Sequence, residues 1–173
     1  MNAYFERQGR KELLIIEDAH IMFPNFRGIA DQYTVKGHRH FCVEIPEEMV
    51  NEMIEAGWNI KHTNPKNDEY EPVAYTDINI QWNHEKNKIP VVTFITGRNE
   101  TEIDEEIVGD LDTAEIEKVD IAIDPSYWRR NDGSWGVKGY VKTLDAYLYE
   151  DPIRRKRAER RAEMEEGDLP FEE

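Results

Sequence analysis

The segment SYWRRNDGSWGVKGYVKTLDAYLYE, residues 126–150, contains the pattern that most constrains the fold. Asn131-Asp132-Gly133 is a turn signal, and the residues after it predict one long final strand. Gly136 and Gly139 interrupt this strand, and a glycine inside a strand often marks a bulge or a sharp bend. A long strand that bends favours a sheet that curls into a barrel, because closure removes exposed sheet edges.

Shorter strand patterns occupy much of the chain before this segment. They are LLIIEDAHIMF at 13–23, HRHFCVEI at 38–45, VAYTDINIQW at 73–82, IPVVTFITGR at 89–98 and, after an acidic loop with a helical turn, KVDIAI at 118–123. Apolar and polar residues alternate in several of them, which is typical of strands with one buried face. The chain is therefore predicted to be mainly β, a small closed or partly open barrel of five to six strands. A β-sandwich is the alternative.

One internal helix is predicted in PEEMVNEMIEAGW, residues 46–58. Pro46 suits the first turn, the acids after it suit the positive N-terminal end, and Gly57 suits a left-handed stop. Apolar residues at helical spacing from Met49 to Ile54 form the stripe that faces the core.

The composition changes at Asp151, where a basic run at 154–161 is followed by an acidic end. Pro152 and the helix formers after it allow a helix, but its polarity on nearly all sides predicts that it is exposed. We therefore expect one folded domain over residues 1–150 and a charged C-terminal tail over 151–173, extended or helical.

Composition limits the class of protein. The 173 residues are 39% hydrophobic and 10% aromatic, which indicates a folded chain rather than a disordered one. Cys42 is the single cysteine, so no intramolecular disulfide forms. No signal peptide or membrane-span pattern occurs, and we expect a cytoplasmic protein with no membrane partner.

The net charge of −15 argues against nucleic-acid binding when it is taken as a sum, because phosphates require lysine and arginine. The charge is unevenly distributed, however. Between residues 99 and 124 the acids are accompanied by Lys118 as the single base. Local patches therefore matter more than the sum.

Aromatic residues interleaved with cations form the strongest functional pattern. Lys138, Tyr140 and Lys142 share one face of the predicted final strand, and Tyr127, Trp128, Arg129 and Arg130 precede it. Single-stranded nucleic acid requires this mixture, because bases stack on rings and cations follow the phosphates. The surface could extend to Tyr33, Lys36, Arg39, Tyr75, Phe94 and Arg98. The alternative interpretation is that the rings pack in the core and the cations are ordinary surface charges.

Metal and catalytic patterns are weak. His38 and His40 share one strand face, but no acid or cysteine at ligand spacing completes a zinc site, and phosphate contact or plain surface fits them better. The catalytic signatures of hydrolases, nucleotide-binding enzymes and zinc proteases are missing. We expect a protein that is not an enzyme, with no metal and no cofactor.

The β-rich body and a tail containing Asp168-Leu169-Pro170-Phe171 resemble the OB-fold single-stranded DNA-binding proteins, and WGVKGYVKTLDAY resembles the last core strand of the phage-encoded type. Bacterial members of this group end in an acidic run closed by Asp-Ile-Pro-Phe, whereas here Glu172 and Glu173 follow the phenylalanine.

The resemblance implies an OB-fold-like domain that coats single-stranded DNA in phage-type replication, recombination or repair. It also implies that the acidic tail recruits replication or recombination proteins, in the cytoplasm of a bacterial host. The oligomeric state stays open, and a homodimer is compatible with the sequence.

Two other functions remain open at this point. The acidic surface from Glu100 to Asp124 could imitate phosphates, which would make the chain a DNA mimic or a protein-interaction module. A metal-dependent nuclease would have to rely on His38, His40 and scattered acids. The aromatic and cationic mixture favours single-stranded DNA binding, because a pure mimic has no use for it.

Overall fold

The computed structural model describes residues 1–32, 34–149 and 152–167. Within these residues the chain forms ten strands: β1 Asn2–Gln8, β2 Lys11–Glu17, β3 Ile21–Asn25, β4 His40–Glu44, β5 Lys61–His62, β6 Ala74–Asn79, β7 Val91–Thr96, β8 Asn99–Ile103, β9 Ile116–Arg129 and β10 Trp135–Leu148. The helices of this part of the chain are α1 Glu47–Ala56, α2 Pro152–Gly167 and a 3₁₀ helix at Val108–Asp112. None of these helices is long and apolar enough to span a membrane.

All ten strands belong to one sheet with the order β1-β2-β9-β10-β6-β4-β3. The short β5 pairs with β6, while β7 pairs with β10 and carries β8 on its other side. The sheet does not close, since β1 pairs only with β2 and β3 only with β4 among the described strands. The mainly β prediction is confirmed, but a closed barrel is not formed.

The predicted count of five to six strands is wrong because several strands are largely exposed. β1 and β8 have few buried side chains, and β5 consists of two exposed residues. Backbone ladders hold them in the sheet, so they lack the apolar alternation by which a strand is recognised in a sequence. The expected strand at 13–23 is also divided, because Asp18 adopts a left-handed φ of 53° between β2 and β3.

β10 organises the sheet. It pairs antiparallel with β9 along almost its whole length. Its other edge is shared, with Gly139 and Tyr140 parallel to β6 and residues 143–147 parallel to β7. The ladder with β9 shifts at Lys142, because Val141 pairs with Ile123 and Thr143 pairs with Ala122. This bulge divides β10 into two halves with different neighbours.

The bulge does not lie at Gly136 or Gly139, where the sequence predicted it. These glycines are required by close packing instead. A β-carbon on Gly139 would lie 2.8 Å from Cδ1 of Ile78 and 2.9 Å from Cζ3 of Trp58. A β-carbon on Gly136 would lie 2.6 Å from Cε2 of Trp128. Each glycine therefore makes room for an aromatic ring.

The hydrophobic core lies on the inner face of the sheet, and α1 adds its buried residues to it. Phe41, Ile78 and Leu144 come from three different strands and are fully buried. α1 is confirmed as predicted: it follows Pro46 and ends at Gly57, whose φ is 108°. The opposite, outer face of the sheet is therefore the one available to a ligand.

Candidate nucleic-acid interface

Four residues of the aromatic and cationic pattern lie on the outer face of β9 and β10. Lys138, Tyr140 and Lys142 alternate with the buried residues of β10. Trp128 joins them from β9, because it pairs with Gly136 and its ring lies over that glycine. Trp128, Lys138 and Lys142 are exposed, while Tyr140 is half-buried. The sequence thus identified a set of side chains that the fold brings to one surface.

A cleft with a volume of about 650 Å³ opens on this surface. The loop between β6 and β7 forms one wall, and β9 and β10 form the other. The residues that matter chemically are cationic or aromatic: Lys11, Lys86, Lys88, Tyr127, Tyr140 and Lys142. A groove that combines tyrosine rings with several lysines suits a flexible polyanion with flat bases.

Three lysines of the cleft were missed by the sequence analysis. Lys11 lies at the start of β2, and Lys86 and Lys88 lie in NHEKNK, which reads as an ordinary solvated turn. Backbone hydrogen bonds of 3.0 Å join Asn83 and Lys88 in both directions, so the loop is closed on itself. The signal that could have found these residues is the density of lysine in a turn between two strands.

The charges within the cleft are partly balanced. Lys11 pairs with Asp124 at 3.1 Å, and the Lys142 ammonium donates to Oε1 of Gln8 at 2.9 Å. Within the described part of the chain, no acid forms an ion pair with Lys86 or Lys88. These two cations are the ones most available for phosphates.

The β9–β10 hairpin carries two arginines that lie over tryptophan rings. Arg129 lies over Trp135 at 5.1 Å, and Arg130 lies over Trp128 at 5.5 Å. Arg130 also donates to the carbonyl oxygens of Gly57 at 3.0 Å and Trp135 at 2.6 Å. Its guanidinium is therefore engaged in holding the hairpin against the end of α1, and it positions the Trp128 ring.

The outer face becomes acidic beyond the bulge at Lys142. Burial, followed by the charges of Asp120 and Glu100, raises the pKa of the Asp145 carboxyl. The ring of Tyr147 is covered there by Lys118, whose ammonium lies 5.0 Å from its centre. A polyanion is attracted to the half of the face that carries the cleft and repelled by the other half.

The remaining predicted residues lie apart from the cleft. Arg39 is mostly buried and contacts Glu105 at 3.5 Å. Tyr75 packs edge to face against Phe23 with ring centres 5.6 Å apart, and Phe94 packs against the core.

Lys36 and Arg98 are exposed in turns. Tyr33 and the tail residues Asp168, Leu169, Pro170 and Phe171 lie outside the described residues. The role of each predicted residue in DNA binding stays a prediction.

The histidines of HRH form a stacked pair at the start of β4. Their ring centres are 4.9 Å apart, and the ring planes differ by 14°. No group of three metal-ligating side chains occurs in the described ranges. Next to the pair, Cys42 is buried beside Asp77, and burial followed by that carboxylate raises the pKa of the thiol to about 12. The cysteine is therefore an unreactive packing residue.

Matches among solved structures include proteins of bacteriophages Enc34 and T7. The single-stranded DNA-binding protein of bacteriophage Enc34, as a C-terminal truncation, matches with a TM-score of 0.50 and 10% identity over 88% of this chain and 98% of that chain. The same protein in complex with ssDNA matches with a TM-score of 0.49 and 12% identity over 86% and 96%. The single-stranded DNA-binding protein gp2.5 of bacteriophage T7 has a TM-score of 0.43 and 8% identity over 82% and 88%.

Sequence comparison gives two results. No curated protein matches the chain. A family model described as "Putative phage ssDNA-binding domain" matches residues 5–169, which is nearly the whole sequence. The chain therefore belongs to this phage single-stranded DNA-binding domain family.

Proposed function

We propose that this protein is a non-enzymatic single-stranded DNA-binding protein and that the strand runs through the cleft between β10 and the β6–β7 loop. The observation that carries the proposal is the cleft itself, in which Tyr140 and Tyr127 lie among four lysines. Bases stack on the rings while the lysines contact phosphates, and neither contact depends on base sequence. The family of the chain supports the same ligand.

Trp128 and Lys138 extend the path along the β9–β10 hairpin. Trp128 is 44% exposed, which leaves part of its ring open to a base. Arg130 contributes to DNA binding by fixing the Trp128 ring. Arg129 is exposed and can reach a phosphate directly. The DNA therefore follows the basic half of the outer face and stops before Asp145.

The wider biological role is part of the proposal. Residues 1–150 act as the OB-fold-like DNA-binding domain, in which β10 shares one edge between β6 and β7. The protein coats DNA during phage-type replication, recombination or repair, in the cytoplasm of the bacterial host. Residues 151–173 act as a charged tail that recruits replication or recombination proteins through Leu169 and Phe171.

The test is a titration of a fluorescent oligo-dT of about 30 nucleotides with the full chain, followed by anisotropy at several salt concentrations. We expect binding that weakens with salt, because each phosphate contact to a single strand adds about 0.7 to the slope of log K against log salt. Changing Lys86 and Lys88 together to Ala should lower that slope by roughly 1.4. The matched control changes Lys61 and Lys66, which are exposed and lie outside the cleft lining.

A DNA mimic is the second candidate, and the acidic half of the outer face favours it. Glu100, Asp120 and Asp145 lie close enough for their charges to interact. A mimic would bind no oligonucleotide at any salt concentration and would instead compete with DNA for a basic protein. The oligo-dT titration therefore separates the two functions.

A further inference from the structure

The stacked histidines lie on the same outer face as the cleft and have no role in the function described so far. Tyr140 is in register with Asn79 of β6, and Asn79 is in register with His40 of β4. The three residues form a row across adjacent strands. With strands about 4.8 Å apart, Tyr140 and His40 are separated by roughly 10 Å. About three nucleotides cover that distance at the ~3.4 Å rise of a DNA strand in a duplex, and fewer when the strand is stretched.

His40 is held in place at both ring nitrogens. Its Nδ1 lies 2.8 Å from Oδ1 of Asp77, so it donates to that carboxylate. Its Nε2 lies 2.9 Å from the hydroxyl of Thr34, which can donate to it. The side chain is only 20% exposed. His40 is therefore a fixed, mostly covered support and not a free ligand.

His38 is held differently and is exposed. One face of its ring is covered by His40, and its Nε2 lies 2.5 Å from Oδ1 of Asn79. Within the described residues, no hydrogen bond engages its Nδ1. Among the described residues, these two contacts involve neither Nδ1 of His38 nor the ring face turned away from His40.

We propose that His38 is a second base-stacking position for single-stranded DNA, reached from Tyr140 along the row through Asn79. A ring whose orientation is already fixed loses little conformational entropy when a base stacks on it. The exposed Lys36 lies in the adjacent turn and supplies a cation for the phosphate of the same nucleotide. This inference rests on the proposed function, because it extends the DNA path beyond the cleft.

A metal site and a purely structural histidine pair both explain the positions of His38 and His40 less well than base stacking does. A metal would need a free nitrogen on both rings, and both nitrogens of His40 are engaged with protein partners. A structural role explains His40, which is covered, but it does not require the exposed ring of His38.

The test compares His38→Ala and His38→Phe with the wild-type chain on two oligo-dT ligands of about 2 and about 12 nucleotides. The short ligand can occupy Tyr140 but cannot span the roughly 10 Å to His40, whereas the long one reaches His38. We expect His38→Ala to weaken binding of the long ligand by about 5-fold or more and to leave the short one unchanged, because one stacking contact is lost. His38→Phe keeps the ring and should retain most of the affinity. The matched control is His62→Ala, since His62 is an exposed histidine that pairs with Glu47 of α1.

Wild-type affinity of His38→Ala for the long ligand would overturn the inference, and so would an equal loss in His38→Phe. The proposed function would survive both results, because the cleft would still bind the short ligand. Absence of binding by the wild-type chain would refute the proposed function itself.

If His38→Ala does not fold, imidazole NMR signals of the wild-type chain provide the test. Those of His38 should shift with the long ligand and not with the short one, and no shift with either would contradict the inference.

Discussion

Removal of the Tyr140 ring is the most informative single change in the cleft. Tyr140 lies on the outer face between Asp124 of β9 and Asn79 of β6, with which it is in register. One half-buried ring offers one stacking surface to one base. Such a contact contributes roughly 1–3 kcal/mol, so Tyr140→Ala should weaken single-stranded DNA binding by about 5-fold to about 150-fold.

The matched variants separate stacking from other effects. Tyr140→Phe keeps the ring and should bind nearly as the wild type does, because the hydroxyl is not needed for stacking. Tyr147→Ala removes a tyrosine from the same strand, seven residues further along, which is roughly 23 Å at ~3.3 Å per residue. Its surroundings are acidic, so its loss should leave DNA affinity unchanged.

The assay is anisotropy of labelled oligo-dT at fixed salt, together with thermal unfolding of each variant. The fold should persist in Tyr140→Ala, because the core residues next to it on β10 remain in place. Wild-type affinity in a folded Tyr140→Ala chain would refute the placement of a base on this ring. A loss of the same size in Tyr147→Ala would refute the division of the face into a binding half and an acidic half.

Three further predictions concern the scaffold and its charges. Arg130→Ala should lower the free energy of unfolding, measured in urea, by about 1.5–3 kcal/mol, because the carbonyl of Gly57 loses a charged donor. The control Arg129→Ala should lower the same free energy by less than about 0.5 kcal/mol. Gly139→Ala should cost roughly 1–3 kcal/mol in the same assay, because the added methyl group overlaps the core, and a stable variant would contradict the close packing. Asp145→Asn should raise the melting temperature at neutral pH. Because the pKa of Asp145 is raised in the folded chain, ionisation of its carboxyl lowers the stability of the fold as the pH rises above the ordinary value of 3.8. The gain in melting temperature should therefore vanish near about pH 3, and a gain that persists at that pH would contradict this explanation.

The parts of the fold that bury apolar surface could be predicted from the sequence. α1 has a proline before it, a left-handed glycine after it and an apolar stripe, and the structure confirms it. In β4 and β6 the core-facing apolar residues alternate with residues of the outer face, although Cys42 and Asn79 on that face are buried as well. The exposed strands β1 and β8 could not be predicted, since each is held by backbone pairing with the adjacent strand of a hairpin and has too few buried side chains to show apolar alternation.

The residues of the candidate site also differ in whether a local sequence pattern could predict them. Lys138, Tyr140 and Lys142 could be placed on one face because alternation within a strand is a local property. The lysines of the β6–β7 loop could not be assigned, because their approach to β10 depends on how the chain crosses between strands. Arg130 was predicted as a DNA contact, but its guanidinium also donates to the carbonyl of Gly57, a residue that no sequence pattern connects to it.

Photo-cross-linking would test the central claim most directly, because it reports which side chains contact the DNA. An oligonucleotide containing 5-iodouracil is irradiated with the full chain, and the cross-linked peptides are identified by mass spectrometry. Our account predicts cross-links at Tyr140 and Trp128, on the basic half of the outer face. Cross-links confined to Tyr147, to Tyr75 or to the inner side of the sheet would contradict it.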